Sequence, residues 1–298
     1  MNFSQLQSLL AVADTGSFTE AAYTIYLTQS AVSHALSSLE SELGVTLLER
    51  NHKGVVALTN VGQKILPHVR AVLSHAETIQ QEAKAARGLA RGKLRLGSIP
   101  PISPRLLAGV LTHFQQQYPD IEVVLFEGTL QEVHEWIGTS MIDVGFVHHP
   151  AKEVESTLIT TDEMQVFVAR GHRLHARTSV TVNDLREERL IMPRTGCEFP
   201  EMLDQKGGKN GPPIRYQASE GATIIAMVRE GLGITILPRG MFPDKLEGIA
   251  AIPLDPPRQL QIGLAIRSAD SASPAARLFV QTAVAWVQEQ AALLHHIR

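Results

Sequence analysis

Two helix-start signals near the beginning of the chain constrain its fold more than any other feature. Ser17 precedes Glu20 by three residues, the spacing of a capping box, so we expect a helix to begin at Phe18. Thr28 is a second N-cap candidate a short distance along the chain. Two capped helices joined by so tight a turn predict a helix-turn-helix.

The second of these helices has two faces of opposite character. Its apolar positions repeat at helical spacing and are expected to be buried: Val32, Leu36 and Leu39. The other face carries short hydrogen-bonding side chains and few charges: Gln29, Ser30, Ser33, His34 and Ser37. Such a face suits a helix in the major groove, where Gln can bond adenine in bidentate fashion and Ser can serve either kind of base edge. An exposed polar face that contacts no DNA is the alternative that the helix pair alone leaves open.

A β-hairpin is predicted directly after the second helix. Two short apolar runs, 47–50 and 55–58, flank a turn rich in Asn and Gly. The hairpin carries Arg50, His52 and Lys53 towards its tip, which places cations where a duplex backbone or minor groove would lie. The chain from 1 to 58 therefore predicts a winged helix-turn-helix domain. Hydroxyls at the two helix starts, Ser17 and Thr28, are further candidate phosphate contacts.

The charge of this region is unusual for a nucleic-acid-binding domain. Between Met1 and Leu58 we count two basic residues against five acidic ones, whereas DNA-binding domains usually present a basic face. The cations are concentrated on the wing, and helix N-termini, backbone amides and hydroxyls must supply the remaining phosphate contacts. We therefore expect a salt dependence of DNA binding that is weaker than usual.

The order and composition of these segments resemble the LysR-type transcriptional regulators. The matching residues are Phe18–Ala22, Thr28–Ser33, Leu39–Val45, Leu47–Arg50 and Leu58–Gly62. The resemblance implies a bacterial DNA-binding regulator, dimeric or tetrameric, whose C-terminal domain senses a small-molecule effector. The implied partners are double-stranded promoter DNA, the effector, further copies of the chain, and RNA polymerase. Ser30 replaces a proline common in the family, and His34 stands where arginine is frequent.

Composition is that of a soluble protein with several domains. The chain has 298 residues, of which 44% are hydrophobic and 19% charged, which is enough for sizeable cores in two or three domains. We expect a cytoplasmic location, with neither a signal peptide nor a membrane span. The single cysteine rules out an intrachain disulfide and argues against a cysteine-based zinc site, and no cofactor or metal is expected.

A long helix is predicted from the Thr59 cap to about Arg87, covering 59–87. Apolar residues along it alternate spacings of four and three: Ile65, Val69, Val72, Ala76, Ile79, Ala83 and Ala86. This narrow seam favours a coiled coil that joins two subunits. A helix that merely connects two domains is the alternative, because three seam positions are alanine, and Pro67 is expected to bend the first turns.

After a hinge at 88–92, strands alternate with helices over 93–298, which predicts an α/β fold with parallel strands. The expected first block has strands at 93–97, 121–126 and 143–147 and helices at 103–118 and 130–137. The expected second block has strands at 165–169, 190–192 and 234–237 and helices at 182–186 and 220–230. A strand at 259–266 and a helix at 274–294 are expected to return to the first block. The result is a two-lobed effector-binding domain resembling periplasmic binding proteins, with lobe 1 at about 93–162 and 264–298 and lobe 2 at about 163–263.

Effector-binding candidates are residues at strand C-termini and helix N-termini, where oriented N–H groups collect. In lobe 1 they are Ser98, Ile99, Pro100, Ser103, Gly128, Thr129, His148 and His149. In lobe 2 they are Thr195, Gly196, Cys197, Ser219 and Glu220. By resemblance, Ser98 and Thr129 match positions that often bind effector, although each residue taken singly has a capping or turn role as its alternative. The uncharged donors indicate a small anion or a carboxylate-bearing metabolite.

Other classes of function are less well supported by the sequence. A ligand-independent architectural DNA-binding protein and an enzyme fused to a helix-turn-helix are the alternatives. The chain lacks a glycine-rich phosphate loop with its lysine and a nucleophile elbow, so we expect no enzyme activity and no catalytic residues. Cys197 is expected to be a small apolar wall of the effector site, because a disulfide switch would need a second thiol.

Overall fold

The computed structural model describes residues 1–50, 56–99, 102, 104–194, 212–243 and 246–295. Within it the chain divides into two compact units. The first comprises Met1–Leu89 with the short segment Gly138–Met141, and the second comprises Ala90–Ile137 and Ile142–Arg298.

The first unit has a winged-helix order. Its elements are α1 (Phe3–Thr15), α2 (Phe18–Thr24), α3 (Gln29–Leu43), β1 (Leu48–Arg50), β2 (Val56–Leu58) and α4 (Asn60–Ala85). Helix α2 begins at Phe18 as predicted, but only half of the expected capping box forms. The Glu20 N–H donates to Ser17 Oγ at 3.3 Å, whereas the Ser17 N–H donates to Thr15 Oγ1 at 3.3 Å. A complete box, which the sequence reasoning missed, caps α1 through Asn2 and Gln5.

Helix α4 packs against the core of its own unit before it extends beyond it. The side chain of Val69 is only 4% exposed and joins the core formed by α1, α2 and α3, with Ile65 partly buried against it. The prediction that Ile65 and Val69 belong to a coiled-coil seam between subunits is therefore wrong for these two positions, because this stretch buries its apolar stripe within its own domain. Further along, Val72 is 42% and Ile79 70% exposed.

The second unit is an α/β structure. Its strands are β3 (Gly92–Ser98), β4 (Ile121–Glu127), β5 (Val144–His148), β6 (Glu155–Ala169), β7 (Val180–Thr181), β8 (Leu190–Pro193), β9 (Ile214–Ala218), β10 (Thr235–Pro238), β11 (Ile249–Asp255) and β12 (Gln259–Ile266). Its helices are α5 (Pro104–Gln117), α6 (Leu130–Gly138), α7 (Gly221–Arg229) and α8 (Pro274–His295). A short 3-10 turn, Asn183–Leu185, replaces the α-helix expected at 182–186, and a second one spans Arg239–Met241.

The main sheet is mixed rather than parallel, which corrects the sequence expectation. It runs in the order β4, β3, β5, β12, β6, β11, β7, with β10 also paired to β6. Strand β3 is parallel to β4 and β5, whereas β12 is antiparallel to both β5 and β6. The reason is that two strands connect the lobes: β6 is much longer than the predicted 165–169, and β12 returns alongside it.

Each lobe has its own hydrophobic core. In lobe 1 the buried side chains of β3, β5, α5 and α8 pack together, with Phe114, Phe146 and Phe279 fully buried. In lobe 2, alternate residues of β6 enter cores on opposite faces of the sheet: Val166 and Val168 on one face, Phe167 on the other. Strand β6 also links the two lobes through its pairing, because its first half pairs with β12 and its second half with β10 and β11.

Candidate DNA-binding face and effector cavity

The predicted polar face of α3 is presented as expected. Thr28 caps the helix, because its Oγ1 accepts the Ala31 N–H at 3.2 Å. The side chains that the sequence assigned to base reading lie on one face of the helix: Gln29, Ser30, His34 and Ser37 are exposed and Ser33 is partly buried. A helix with five short polar side chains on one face can offer both donors and acceptors to base edges.

The opposite face of α3 holds the helix in place. Val32 and Leu39 are fully buried and Leu36 is 2% exposed, all within the core of the first unit. A carboxylate that the sequence reasoning missed links the helix to the wing: Glu40 Oε1 accepts the N–H groups of Leu47 at 2.7 Å and Leu48 at 3.2 Å. The base of the wing is therefore fixed relative to the recognition helix.

The wing forms the predicted hairpin as far as it is described. Strands β1 and β2 pair antiparallel, with Leu48 opposite Leu58 and Arg50 opposite Val56. Arg50 ends β1, whereas His52 and Lys53 lie outside the described residues. Ser17 caps α2, because its Oγ accepts the Glu20 N–H, and a hydroxyl that accepts a hydrogen bond can also donate its own proton.

The second unit contains a cavity of about 860 Å³ that brings together two distant segments. It is lined by Glu127, Gly128, Thr129, Glu132, Ser219, Glu220, Gly221, Ala222, Ile225, Arg229, Met241, Phe242 and Leu246. Of the residues expected from sequence, Gly128, Thr129, Ser219 and Glu220 are in this set. A cavity of this size accommodates a small metabolite.

One wall of the cavity is the start of α6. Thr129 and Glu132 form a complete capping box: the Glu132 N–H donates to Thr129 Oγ1 at 3.1 Å, and the Thr129 N–H donates to Glu132 Oε2 at 2.7 Å. Hydrogen bonds from the backbone and the side chain of Thr129 lower the pKa of the Glu132 carboxyl below its usual range. The three-residue spacing between Thr129 and Glu132 was a readable signal that the sequence reasoning did not use.

The floor of the cavity is apolar and comes from lobe 2. Ile225 is 5% and Phe242 9% exposed, and the Phe242 ring packs edge-on against Phe167 with the ring centroids 5.1 Å apart. The turn before Phe242 is held by Asp162 of β6, whose two carboxylate oxygens each accept the Gly240 N–H at 3.1 Å. Burial raises the pKa of Asp162, while the bond from Gly240 opposes that rise.

The other predicted effector residues lie elsewhere or outside the described chain. Ser98 and Ile99 are each 1% exposed, and Ile99 belongs to the lobe 1 core, so neither lines the cavity. Ser98 instead positions a lining residue, because its carbonyl accepts the Gly128 N–H at 3.1 Å. His148 ends β5, and the ring Nδ1 of His149 is 3.0 Å from Ser156 Oγ; neither histidine lines the cavity. Pro100, Ser103, Thr195, Gly196 and Cys197 lie outside the described residues.

The charge of the described lining disagrees with the expected anionic effector. Glu127, Glu132 and Glu220 bring three carboxylates, and Arg229 brings one guanidinium. A net negative lining repels an anion and attracts a cation. The anion prediction relied on uncharged donors and helix N-termini and took no account of side chains that arrive from other elements.

Two further searches cover the described part of the chain. No group of three or more His, Cys, Asp or Glu side chains there could hold a metal ion. No helix among those residues is long and apolar enough to cross a membrane.

Both units match models of known protein families. Residues 3–63 match the model of bacterial regulatory helix-turn-helix proteins of the lysR family, and residues 87–288 match the LysR substrate binding domain.

Individual proteins match along most of their length. An uncharacterised HTH-type transcriptional regulator of Bacillus subtilis, YvbU, is 38% identical over 290 residues, covering 95% of this chain and 98% of that protein. The probable regulator LrrA of Synechococcus elongatus is 32% identical, covering 86% of this chain and 84% of its own.

Solved structures agree in fold. Full-length OxyR of Pseudomonas aeruginosa superposes with a TM-score of 0.79 at 23% identity, over 97% of this chain and 95% of that one. Full-length CbnR, solved with its target DNA, gives a TM-score of 0.66 at 25% identity, over 96% of this chain and 100% of that one.

Proposed function

The chain belongs to the lysR family of transcriptional regulators, and from this premise we propose which of its residues bind DNA and which bind a small-molecule effector. The protein is a DNA-binding transcriptional regulator with an effector-binding domain. We assign DNA binding to 1–58, subunit pairing to 59–87, a hinge to 88–92 and effector binding to 93–298. It acts on double-stranded promoter DNA in the cytoplasm as an oligomer, with RNA polymerase as a further partner.

Base reading rests on one observation, the exposed polar face of a helix whose other face is fully buried. Gln29 is exposed at the first position of α3, where recognition helices contact base edges. Ser33 lies one turn further along the same face. We assign base contacts to these two side chains, and phosphate contacts to Ser17, Thr28 and the wing cations.

Selection of DNA by the full-length protein tests this assignment. Duplexes with a random central region would be bound, recovered and sequenced over several rounds. We expect one motif with two half-sites about one helical turn apart, or a multiple of that, because a symmetric oligomer presents two recognition helices. Recovery of unselected sequences after repeated rounds would contradict sequence-specific binding.

The effector cavity supports a ligand with two parts. Its floor of Ile225, Met241 and Phe242 suits an apolar group, and its three carboxylates suit a positively charged one. We therefore propose an organic amine or another small organic cation as effector, in place of the anion that uncharged donors and helix N-termini indicated. The apolar part supplies binding energy through burial, and the charge supplies selectivity.

Thermal unfolding of the full-length chain with matched ligand pairs tests the effector class. Tyramine would be compared with 4-hydroxyphenylacetate, and putrescine with succinate, because each pair changes the sign of charge on a similar skeleton. A ligand that binds only the folded protein raises its melting temperature. We expect a rise with at least one amine and none with its partner acid; the reverse order would contradict the proposed charge class.

A cavity-filling variant separates specific from general effects. Ala222→Trp places a large ring in the cavity, whereas Thr223→Trp, exposed at the next position of α7 and absent from the lining, is the matched control. The stabilisation should vanish in the first variant and persist in the second. If no ligand stabilises the wild-type protein, the architectural, ligand-independent alternative gains support.

A further inference from the structure

Two tyrosines beside the recognition helix are more exposed than any other large apolar or aromatic side chain in the described chain. Tyr23, at the end of α2, is 86% exposed, and Tyr26, in the turn before α3, is 94% exposed. Tyrosine is enriched at interfaces, because its ring is apolar while its hydroxyl can find a hydrogen-bond partner. Their exposure indicates a partner that the isolated unit lacks.

The turn that follows Tyr23 and contains Tyr26 is fixed by backbone hydrogen bonds. The Tyr26 N–H donates to the Tyr23 carbonyl at 3.3 Å, and the Leu27 N–H donates to the Ala22 carbonyl at 2.9 Å. Tyr26 has a φ of +57°, in the left-handed region that bulky residues rarely occupy. Thr28, the N-cap of α3, follows almost at once. Tyr26 is therefore held beside the end of the recognition helix that carries Gln29.

Charge determines which partner suits this surface. No lysine or arginine occurs among residues 1–49, and Asp14, Glu20, Glu40, Glu42 and Glu49 are acidic. Phosphates that flank the N-terminal end of α3 must therefore be contacted by uncharged donors from this part of the chain. A tyrosine hydroxyl is such a donor, and tyrosine contacts to phosphate oxygens are common in protein–DNA complexes.

We propose that Tyr23 and Tyr26 bind the DNA backbone next to the recognition helix, donating their hydroxyl protons to phosphate oxygens. Tyr26 precedes Gln29, the first residue of α3, by three positions, so a duplex that contacts the start of this helix comes close to the turn that carries Tyr26. The inference rests on the proposed DNA-binding function and adds two residues and a mode of contact to it. These contacts position the helix on the duplex without reading its sequence.

Removal of the hydroxyls alone tests the proposal. Tyr23→Phe, Tyr26→Phe and the double variant would be made in the full-length protein, with Tyr216→Phe as the matched control. Tyr216 is 38% exposed in strand β9 of the second unit. Two probes would be titrated by fluorescence anisotropy: the duplex that the wild-type protein selects, and a mixed-sequence duplex of the same length.

We expect each single variant to weaken binding to both probes by the same factor, about three- to tenfold, which is the scale of one neutral hydrogen bond. The dependence of affinity on salt should keep its wild-type slope, because an uncharged donor displaces no counterion. Tyr216→Phe should bind like wild type. This signature differs from that of a lost wing cation, which flattens the slope.

Three outcomes would overturn the inference. The double variant could bind both probes as tightly as wild type, it could change affinity for the selected duplex alone, or it could change the oligomeric mass, which would make the surface a contact between copies. Failure of the proposed function would look different, because the wild-type protein would then select no duplex at all.

Discussion

The polar face of α3 and the effector cavity differ in how many segments of the chain form them. The face belongs to one helix, and its base-reading candidates project from a scaffold that is complete within the first unit. The cavity joins 127–132 to 219–242 and Leu246, and part of its wall depends on the hydrogen bond that Asp162, in a third segment, accepts from the Gly240 N–H. Substitutions on the face should change recognition without changing the fold, whereas the cavity responds to residues that never touch a ligand.

The two regions also differ in how charge is used. The recognition region has no lysine or arginine before Arg50, although its target is a polyanion. The cavity has an excess of carboxylates among its described lining residues, which suits a cation. An excess of negative charge therefore disfavours binding of DNA at the recognition region and favours binding of a cation in the cavity.

The largest effect is expected on the exposed part of α4, which we propose pairs with a second copy of the chain. Val72→Asp combined with Ile79→Asp should give monomers, because two unpaired charges would enter the seam between subunits. Binding to a full site should fall by roughly two orders of magnitude, since linked half-sites lose their avidity. Light scattering and anisotropy measure both effects. Ala85→Asp, exposed and outside the seam, is the control; an unchanged mass of the double variant would place the main interface elsewhere.

A smaller and more selective effect is expected on the recognition face. Gln29→Ala should reduce discrimination at one base pair by about 1–3 kcal/mol, because a bidentate contact is lost. Ser41→Ala, exposed near the end of α3, should leave specificity unchanged. Competition against single-base variants of the selected duplex is the measurement. Equal weakening for every variant would remove Gln29 from base reading.

The wing provides the matching electrostatic test. Lys53→Ala should weaken binding to all sequences alike and reduce the salt slope by about one, because one phosphate contact is lost. Titrations of wild type and variant at several salt concentrations give the two slopes. An unchanged slope would mean that Lys53 does not neutralise a phosphate.

A pH effect on stability is expected from Asp162 in the second unit. Burial raises the pKa of Asp162 above its ordinary 3.8, so the folded state holds that proton more tightly than the unfolded state. Its contribution to stability is therefore full below pH 3.8 and is lost as the pH rises through the folded pKa. Asp162→Asn should flatten this part of the pH profile of the melting temperature, while an amide oxygen still accepts the Gly240 N–H. A profile identical to wild type would contradict the raised pKa.

The smallest effect is expected at the single cysteine. Cys197→Ser should keep DNA affinity within about twofold and leave the protein indifferent to mild peroxide, because no second thiol can form an intrachain disulfide. The footprint of wild type and variant before and after peroxide is the measurement. A wild-type footprint that changes with peroxide and reverts with dithiothreitol, absent in the variant, would contradict this.

Local signals explain why the first unit could be predicted in detail. The start of α2 at Phe18, the Thr28 cap and the pairing of the wing strands all follow from residues close together in the chain. The seam on α4 was predicted less well, because spacing alone does not distinguish burial against one's own core from burial against a partner. Val69 is buried in the core of its own unit, whereas Ile79 remains exposed.

The cavity shows what local signals miss. Ser219 and Thr129 were predicted from their places at element ends, but Arg229 and Phe242 reach the cavity from elements whose placement depends on the whole of lobe 2. The long β6, which connects the lobes, was predicted only at its last five residues, because the rest of the strand lacks a continuous apolar run. The side chains that line a site built from remote segments follow from the fold, so the excess of carboxylates in the described lining could not be predicted from helix ends.

Reciprocal coupling between the two regions tests the account most directly. The affinity of the full-length protein for the selected duplex would be measured with and without the stabilising amine, and its affinity for the amine with and without the duplex. We predict that each ligand changes the affinity for the other by the same factor, as linkage requires, and that Ala222→Trp abolishes the coupling. Equal affinities with and without the second ligand would contradict an effector-controlled regulator.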